Sequence, residues 1–220
     1  MNKIKIIIAL SIAVLYCGRS FGQAASRGFS EILQTYYLYQ DKDVVDKTIS
    51  YLNNPEADYK RMEPVLTGFF AALFAKDSLV KNEFGTKIEK LDRQEFKDLF
   101  TALELSNVDS VYAKTPLSPA YNDMNWSSFF ATGEVKYLDR IINNIHLSDD
   151  RIDRTLFLTG ASAKWSLCSN ARQDQLVKEH LASSKVEKKN IKEILKKEPA
   201  EFKEEMKEIV KQQREKGLWK

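Results

Sequence analysis

Ser78-Leu79-Val80-Lys81 has the S-x-x-K spacing in which a lysine one helical turn away can activate a serine nucleophile. That chemistry also needs S-D-N and K-T-G elements, and the chain supplies only Lys114-Thr115-Pro116. Gly160-Ala161-Ser162-Ala163 lacks the second glycine of a nucleophile elbow. His146 and His180 are the two histidines, and neither has a second histidine or a cysteine at metal-ligand spacing. Cys168 lies one helical turn from Lys164 and Trp165 and reads as an inert buried thiol. Asn125-Trp126-Ser127 has the form of a glycosylation acceptor, but it falls within a helical pattern. No phosphate-binding glycine loop is present. These patterns predict no catalytic residues, no metal and no cofactor, and so no enzyme.

What the side chains offer instead is recognition. Tyr121, Asn125 and Trp126 in one helical stretch, with Trp165 and Asn170 in another, are the aromatic and amide groups with which a stacked-helix face holds a peptide or protein. The sequence reading is therefore a protein- or peptide-binding module. One alternative is a small-molecule-binding or hydrolytic protein with a site near residues 106–122. A second is a structural protein that self-associates.

The segments that carry these residues read as helical throughout. "FSEILQTYYLYQ" begins the series with Ser30 as expected cap, and "DVVDKTISYL" carries Val45, Ile49 and Leu52 on one face. "MEPVLTGFFAALFA" is apolar on all sides and predicts a buried helix. "LDRQEFKDLFTALEL" opens with Asp92 three residues before Glu95, a capping-box pattern. Asp149 reads as the cap of the helix that follows it.

A segment containing Pro116 and Pro119 is expected to be a loop over 106–122, between a helical half at 25–105 and another at 123–184. Residues 185–220 form a Lys/Glu-rich tail of amphipathic helices broken near Pro199. Its expected role is to dock one narrow face, and its interleaved acids argue against a membrane surface.

The two halves share a pattern. "YYLYQDKDVVDKTISYL" at 36–52 aligns without a gap on "FFATGEVKYLDRIINNI" at 129–145, an offset of 93 residues. Tyr36-Tyr37 falls on Phe129-Phe130, Val45-Asp46-Lys47 on Leu138-Asp139-Arg140, and Ile49 and Leu52 on Ile142 and Ile145. Gly133 supplies the left-handed residue a helix C-cap needs, a freedom that its counterpart Gln40 lacks. A helical hairpin used twice predicts stacking, because a single pair cannot bury its own face. The expected fold is all-α, with stacked antiparallel hairpins in a solenoid or bundle and a charged helical tail.

The stretches "GFFAALFAKD", "NWSSFFATGEVKYLDRI" and "ASAKWSLCSNARQDQLV" together resemble a family of small exported all-helical bacterial proteins of unassigned function. The hairpins also resemble tetratricopeptide-type stacking. The resemblance spans roughly residues 30–182; it implies a helical fold and export, and supplies no catalytic residues.

Export is also written in the first residues. Lys3 and Lys5 precede an apolar run from Ile6 to Cys17, and Gly22 and Ala24 place small residues for cleavage after Ala24. The run is shorter than the roughly 20 residues a bilayer span requires. Residues 1–24 therefore read as a signal peptide for a periplasmic or secreted protein. Tyr16 before Cys17 disfavours lipid attachment. Removing Lys3, Lys5 and Arg19 leaves 31 basic against 31 acidic side chains. That neutral balance offers no footprint for nucleic acid.

Overall fold

The structure, a computed structural model, describes residues 27–220. The expected signal peptide, its cleavage site and Cys17 lie outside the described residues. Among the described residues the fold is all-α: twelve helices, two 3-10 turns and no strand. The first six helices are α1 Phe29–Tyr39, α2 Val44–Leu52, α3 Tyr59–Lys76, α4 Ser78–Lys87, α5 Gln94–Leu105 and α6 Val108–Lys114. The next six are α7 Pro119–Thr132, α8 Lys136–Ile142, α9 Arg154–Asn170, α10 Gln175–Ser183, α11 Lys188–Lys196 and α12 Pro199–Glu215. The 3-10 turns are Ile88–Lys90 and Ile145–Asp149. No described helix is long and apolar enough to cross a membrane.

The second six helices follow the first in order and in several packed pairs, although α12 is longer than α6 and the 3-10 turn falls at a different place in each set. Each helix of the first set has a counterpart beginning 90 to 97 residues later. The packed pairs α1–α2, α3–α4, α3–α5, α3–α6 and α4–α5 recur as α7–α8, α9–α10, α9–α11, α9–α12 and α10–α11. The caps recur too. Asp58 accepts the Arg61 amide at the start of α3, as Asp153 accepts those of Thr155 and Leu156 at the start of α9. Asp77 takes the first free amides of α4, and Asp174 those of α10. At the C-termini of α1 and α7, Gln40 (φ 51°) and Gly133 (φ 72°) both adopt the left-handed conformation. Gln40 therefore closes its helix as the glycine does, at the steric cost of its Cβ.

Each unit has its own core. In the first, Phe70 meets the rings of Phe69, Phe74, Phe84 and Phe100 at centroid distances of 5.0–5.5 Å, and Phe84 stacks on Phe100 at 4.1 Å. The expected burial of α3 holds for Leu66 to Phe74, where only Thr67 is half-buried, while its first two turns and its last residues reach solvent. The second core gathers Met124, Trp126 and Phe129 of α7, Leu138, Ile141 and Ile142 of α8, and Leu167 and Cys168 of α9. The units join where α7 packs along α3. A Cβ on Gly68 would lie 2.1 Å from the Met124 carbonyl oxygen, so only glycine allows these two backbones to approach.

Several local expectations are corrected. Residues 106–122 are not a loop: Asn107 caps α6, Ser118 caps α7 with Pro119 at its first position, and the true connection is residues 115–118. Tyr112 of α6 folds onto α7, its hydroxyl 2.7 Å from Ser128 Oγ and 3.0 Å from the Met124 carbonyl. α1 starts at Phe29 after Gly28, so Ser30 lies inside the helix. The Asp92–Glu95 capping box does not form, because α5 begins at Gln94 and Arg93 engages the Glu95 carboxylate instead. Asp149 ends a 3-10 turn, and Asp153 caps α9.

The charged tail docks on α9. Phe157 and Ala161 of α9 form a small third core with Val210 and Trp219, flanked by Leu158, Met206 and Ile209. Trp219 Nε1 donates to the Ile152 carbonyl at 3.1 Å, and its ring lies 4.9 Å from that of Phe157.

Candidate functional site

The residues singled out in the sequence do not make a common surface. Asn125 has no exposed area and Trp126 keeps only 6 % of its own, because α7 is covered by α1, α3, α8 and α9. The Asn125 amide nitrogen donates to the Tyr121 carbonyl at 2.7 Å, and Trp126 stacks on Phe130 at 5.6 Å. Asn125 Oδ1 and Trp126 Nε1 are buried without a hydrogen-bond partner. Tyr121 is half-buried, edge-on to Tyr112 at 5.6 Å. Trp165 is half-buried against the second core, and the Asn170 amide nitrogen donates to the Ser166 carbonyl in its own helix. Asn125 and Trp126 thus serve packing, and the aromatic-and-amide face expected from them is not formed.

The candidate chemistry sits as follows. Cys168 is buried, receives a hydrogen bond from Arg172 at 2.9 Å, and is pushed up from the ordinary thiol range by burial, which outweighs the opposing pull of Arg172. His180 Nε2 lies 2.7 Å from Asp139 Oδ1. Ser78 follows its helix cap Asp77 at the start of α4. No three His, Cys, Asp or Glu side chains among the described residues converge as a metal site. Asp123 is set into the face of α7 with no hydrogen bond to its carboxylate among the described residues, and burial pushes its pKa up to about 7.

A cleft that the sequence reading did not identify lies where the repeat is broken. In the first unit, the α3 face bearing Gly68 and Ala72 seats α7. Among the described residues the matching face of α9 is covered by the 3-10 turn Ile145–Asp149 and by α12. The 3-10 turn Ile145–Asp149 covers part of it, so closely that a Cβ on Gly160 would lie 1.9 Å from the Ser148 amide nitrogen. α12 covers the rest incompletely and leaves a cavity of about 210 Å³.

Phe157, Ala161, Phe202, Met206 and Ile209 make its apolar wall, while Ser148, Asp149, Arg151, Lys164 and Glu205 supply the polar groups. Ser148 is 6 % exposed, and its hydroxyl has no hydrogen-bond partner. Arg151 is anchored through Nη1 to the carbonyls of Ser148 (2.8 Å) and Asp150 (3.0 Å), with its guanidinium 5.3 Å from the Phe157 ring centroid. Glu205 is exposed and paired with Lys197, which two carboxylates hold at a pKa of about 12.

A second cavity, about 410 Å³, lies at the α9–α10 turn beside Arg172, Asp174 and Lys178. Two of its charged groups are already engaged: Asp174 caps α10 and accepts from the Tyr37 hydroxyl at 2.5 Å, and Arg172 holds the Lys197 carbonyl and Glu198. The α9–α12 cleft, with an unsatisfied buried hydroxyl, is the better candidate.

A sequence signal for this cleft existed. Leu66-Thr67-Gly68 and Leu158-Thr159-Gly160 stand 92 residues apart, which places Lys164 at the position of the buried, packed Ala72. No known protein family, curated protein or solved structure matches the chain.

Proposed function

We propose that the protein is an exported helical binding module of the cell envelope, in which repeated hairpins stack in a tetratricopeptide-like manner. It holds a peptide or protein by seating one apolar side chain in the α9–α12 cleft. The observation that carries this reading is the cleft's construction: an apolar wall ringed by polar groups, set on the α9 face whose counterpart in the first unit seats a helix. Such a pocket suits an interface anchor, because a few well-packed side chains carry most of an interface's binding energy.

The test is photo-crosslinking in cells from position 206, in the parent protein and in Ala161→Trp, which fills the cleft. Lys164→Glu serves as a second variant with little change in volume. A recurrent peptide or protein adduct in the parent that is lost in both folded variants supports the reading. Unchanged adducts in the variants reject it.

A further inference from the structure

The geometry points to a carboxylate as the polar group recognised in the α9–α12 cleft, so that the ligand is an apolar side chain or short alkyl chain bearing a free carboxylate. This inference rests on the binding reading above and names what the site takes. A cavity of about 210 Å³ has the volume of about seven waters at ~30 Å³ each, room for one large side chain.

The polar groups have one sign of need. Ser148 offers a buried hydroxyl with no partner. Half-buried Lys164 has no ion-pair or hydrogen-bond partner among the described residues. Arg151 is held by two backbone carbonyls through one nitrogen, which fixes its guanidinium without neutralising it. The two acids of the lining lie in solvent, and one of them is already engaged: Asp149 and Glu205 are exposed, and Glu205 is paired with Lys197. A hydroxyl donor sharing one cleft with an anchored guanidinium and an unpaired ammonium suits a carboxylate, which accepts hydrogen bonds on both oxygens and gains from the charge.

The repeat sharpens the point. Ala72, the counterpart of Lys164, is 2 % exposed and packs with α7 residues. A lysine in its place cannot serve that packing, because its ammonium must keep water or an anion as partner.

The ligand chemistry has two sources, a peptide's terminal residue and a free fatty acid. The experiment compares N-acetyl-Ala-Leu-Leu with a free carboxylate, the same peptide as its C-terminal amide, and octanoate, each titrated calorimetrically into the folded protein, Lys164→Met and Lys164→Gln. The expected result is saturable binding of the free-carboxylate peptide, at least tenfold weaker binding of the amide, and loss of that difference in both variants. Binding of octanoate with neither peptide bound supports the carboxylate assignment and removes the peptide reading. Equal binding of acid and amide overturns the carboxylate assignment and leaves the binding module standing. Binding of none of the three overturns the assignment as well, while crosslinking from position 206 decides the module separately.

Discussion

Asp139 Oδ1 lies 2.7 Å from His180 Nε2, and 93 residues earlier Asp46 Oδ1 lies 2.7 Å from Lys87 Nζ. Both pairs tie the second helix of a unit to its fourth, α2 to α4 and α8 to α10. The same clamp is thus built with a lysine in one unit and a histidine in the other. Exposed pairs of this kind contribute little, because solvent and salt screen them. His180→Lys should therefore leave the urea midpoint unchanged, whereas His180→Glu, which sets two acids together, should lower it. Equal effects of the two substitutions would show that the clamp contributes no charge interaction.

Gly68 and Gly160 are placed in helices where alanine would ordinarily be favoured by about 1 kcal/mol. Here the added methyl group would collide with backbone, the Met124 carbonyl in one case and the Ser148 amide in the other. Backbone cannot swing aside as a side-chain end does. Gly68→Ala and Gly160→Ala should each destabilise by roughly 1–3 kcal/mol or more, measured by denaturant unfolding. Gly160→Ala should also alter ligand binding, since it would move the turn that carries Ser148. Neutral stability in either variant contradicts the close approach.

Asp123 should make stability depend on pH. Its folded pKa, about 7, lies above the ordinary carboxyl value of 3.8, so the folded state holds this proton more tightly than the unfolded one. The resulting stabilisation is fully present below about pH 4 and is lost as pH rises through about 7. Asp123→Asn keeps the uncharged form at every pH. The variant should exceed the parent in stability above pH 7 by on the order of 2 kcal/mol, a gap that closes toward acid pH. Parallel pH profiles for the two proteins would exclude Asp123 as the source.

Gln40 ends α1 in the left-handed region at φ 51°, where Gly133 ends α7. A side chain in that conformation costs about 1 kcal/mol relative to glycine. Gln40→Gly should raise the thermal midpoint, whereas Gly133→Gln should lower it further than strain alone requires. A Cβ on Gly133 would lie 3.0 Å from the Tyr37 ring. A rise or no change for Gly133→Gln would be inconsistent with that packing.

The helical class, the apolar stretch of α3 and the break before Pro199 were legible in the order of residues. Each is a local property, set by residue spacing, by capping chemistry or by the missing amide of proline. The Tyr36-Tyr37 and Phe129-Phe130 stretches announce the repeat because an aromatic pair before a turn must pack somewhere in both units. Sequence also held the second Leu-Thr-Gly, which marks two close helix approaches.

Tertiary structure decided the rest. Whether Trp126 faces a partner or the core depends on how many helices surround α7, and periodicity on one helix cannot count its neighbours. Helix α6 was hidden because its seven residues are held by contacts such as Tyr112 on Ser128 rather than by a strong pattern of their own. The cleft depends on two approximations that meet only in space: α9 repeats the face of α3, and α12 covers that face without filling it. Lys164 is an ordinary lysine in the chain; its place in one cleft with Ser148 and five apolar side chains comes from the packing of α9 against α12 and the 3-10 turn Ile145–Asp149.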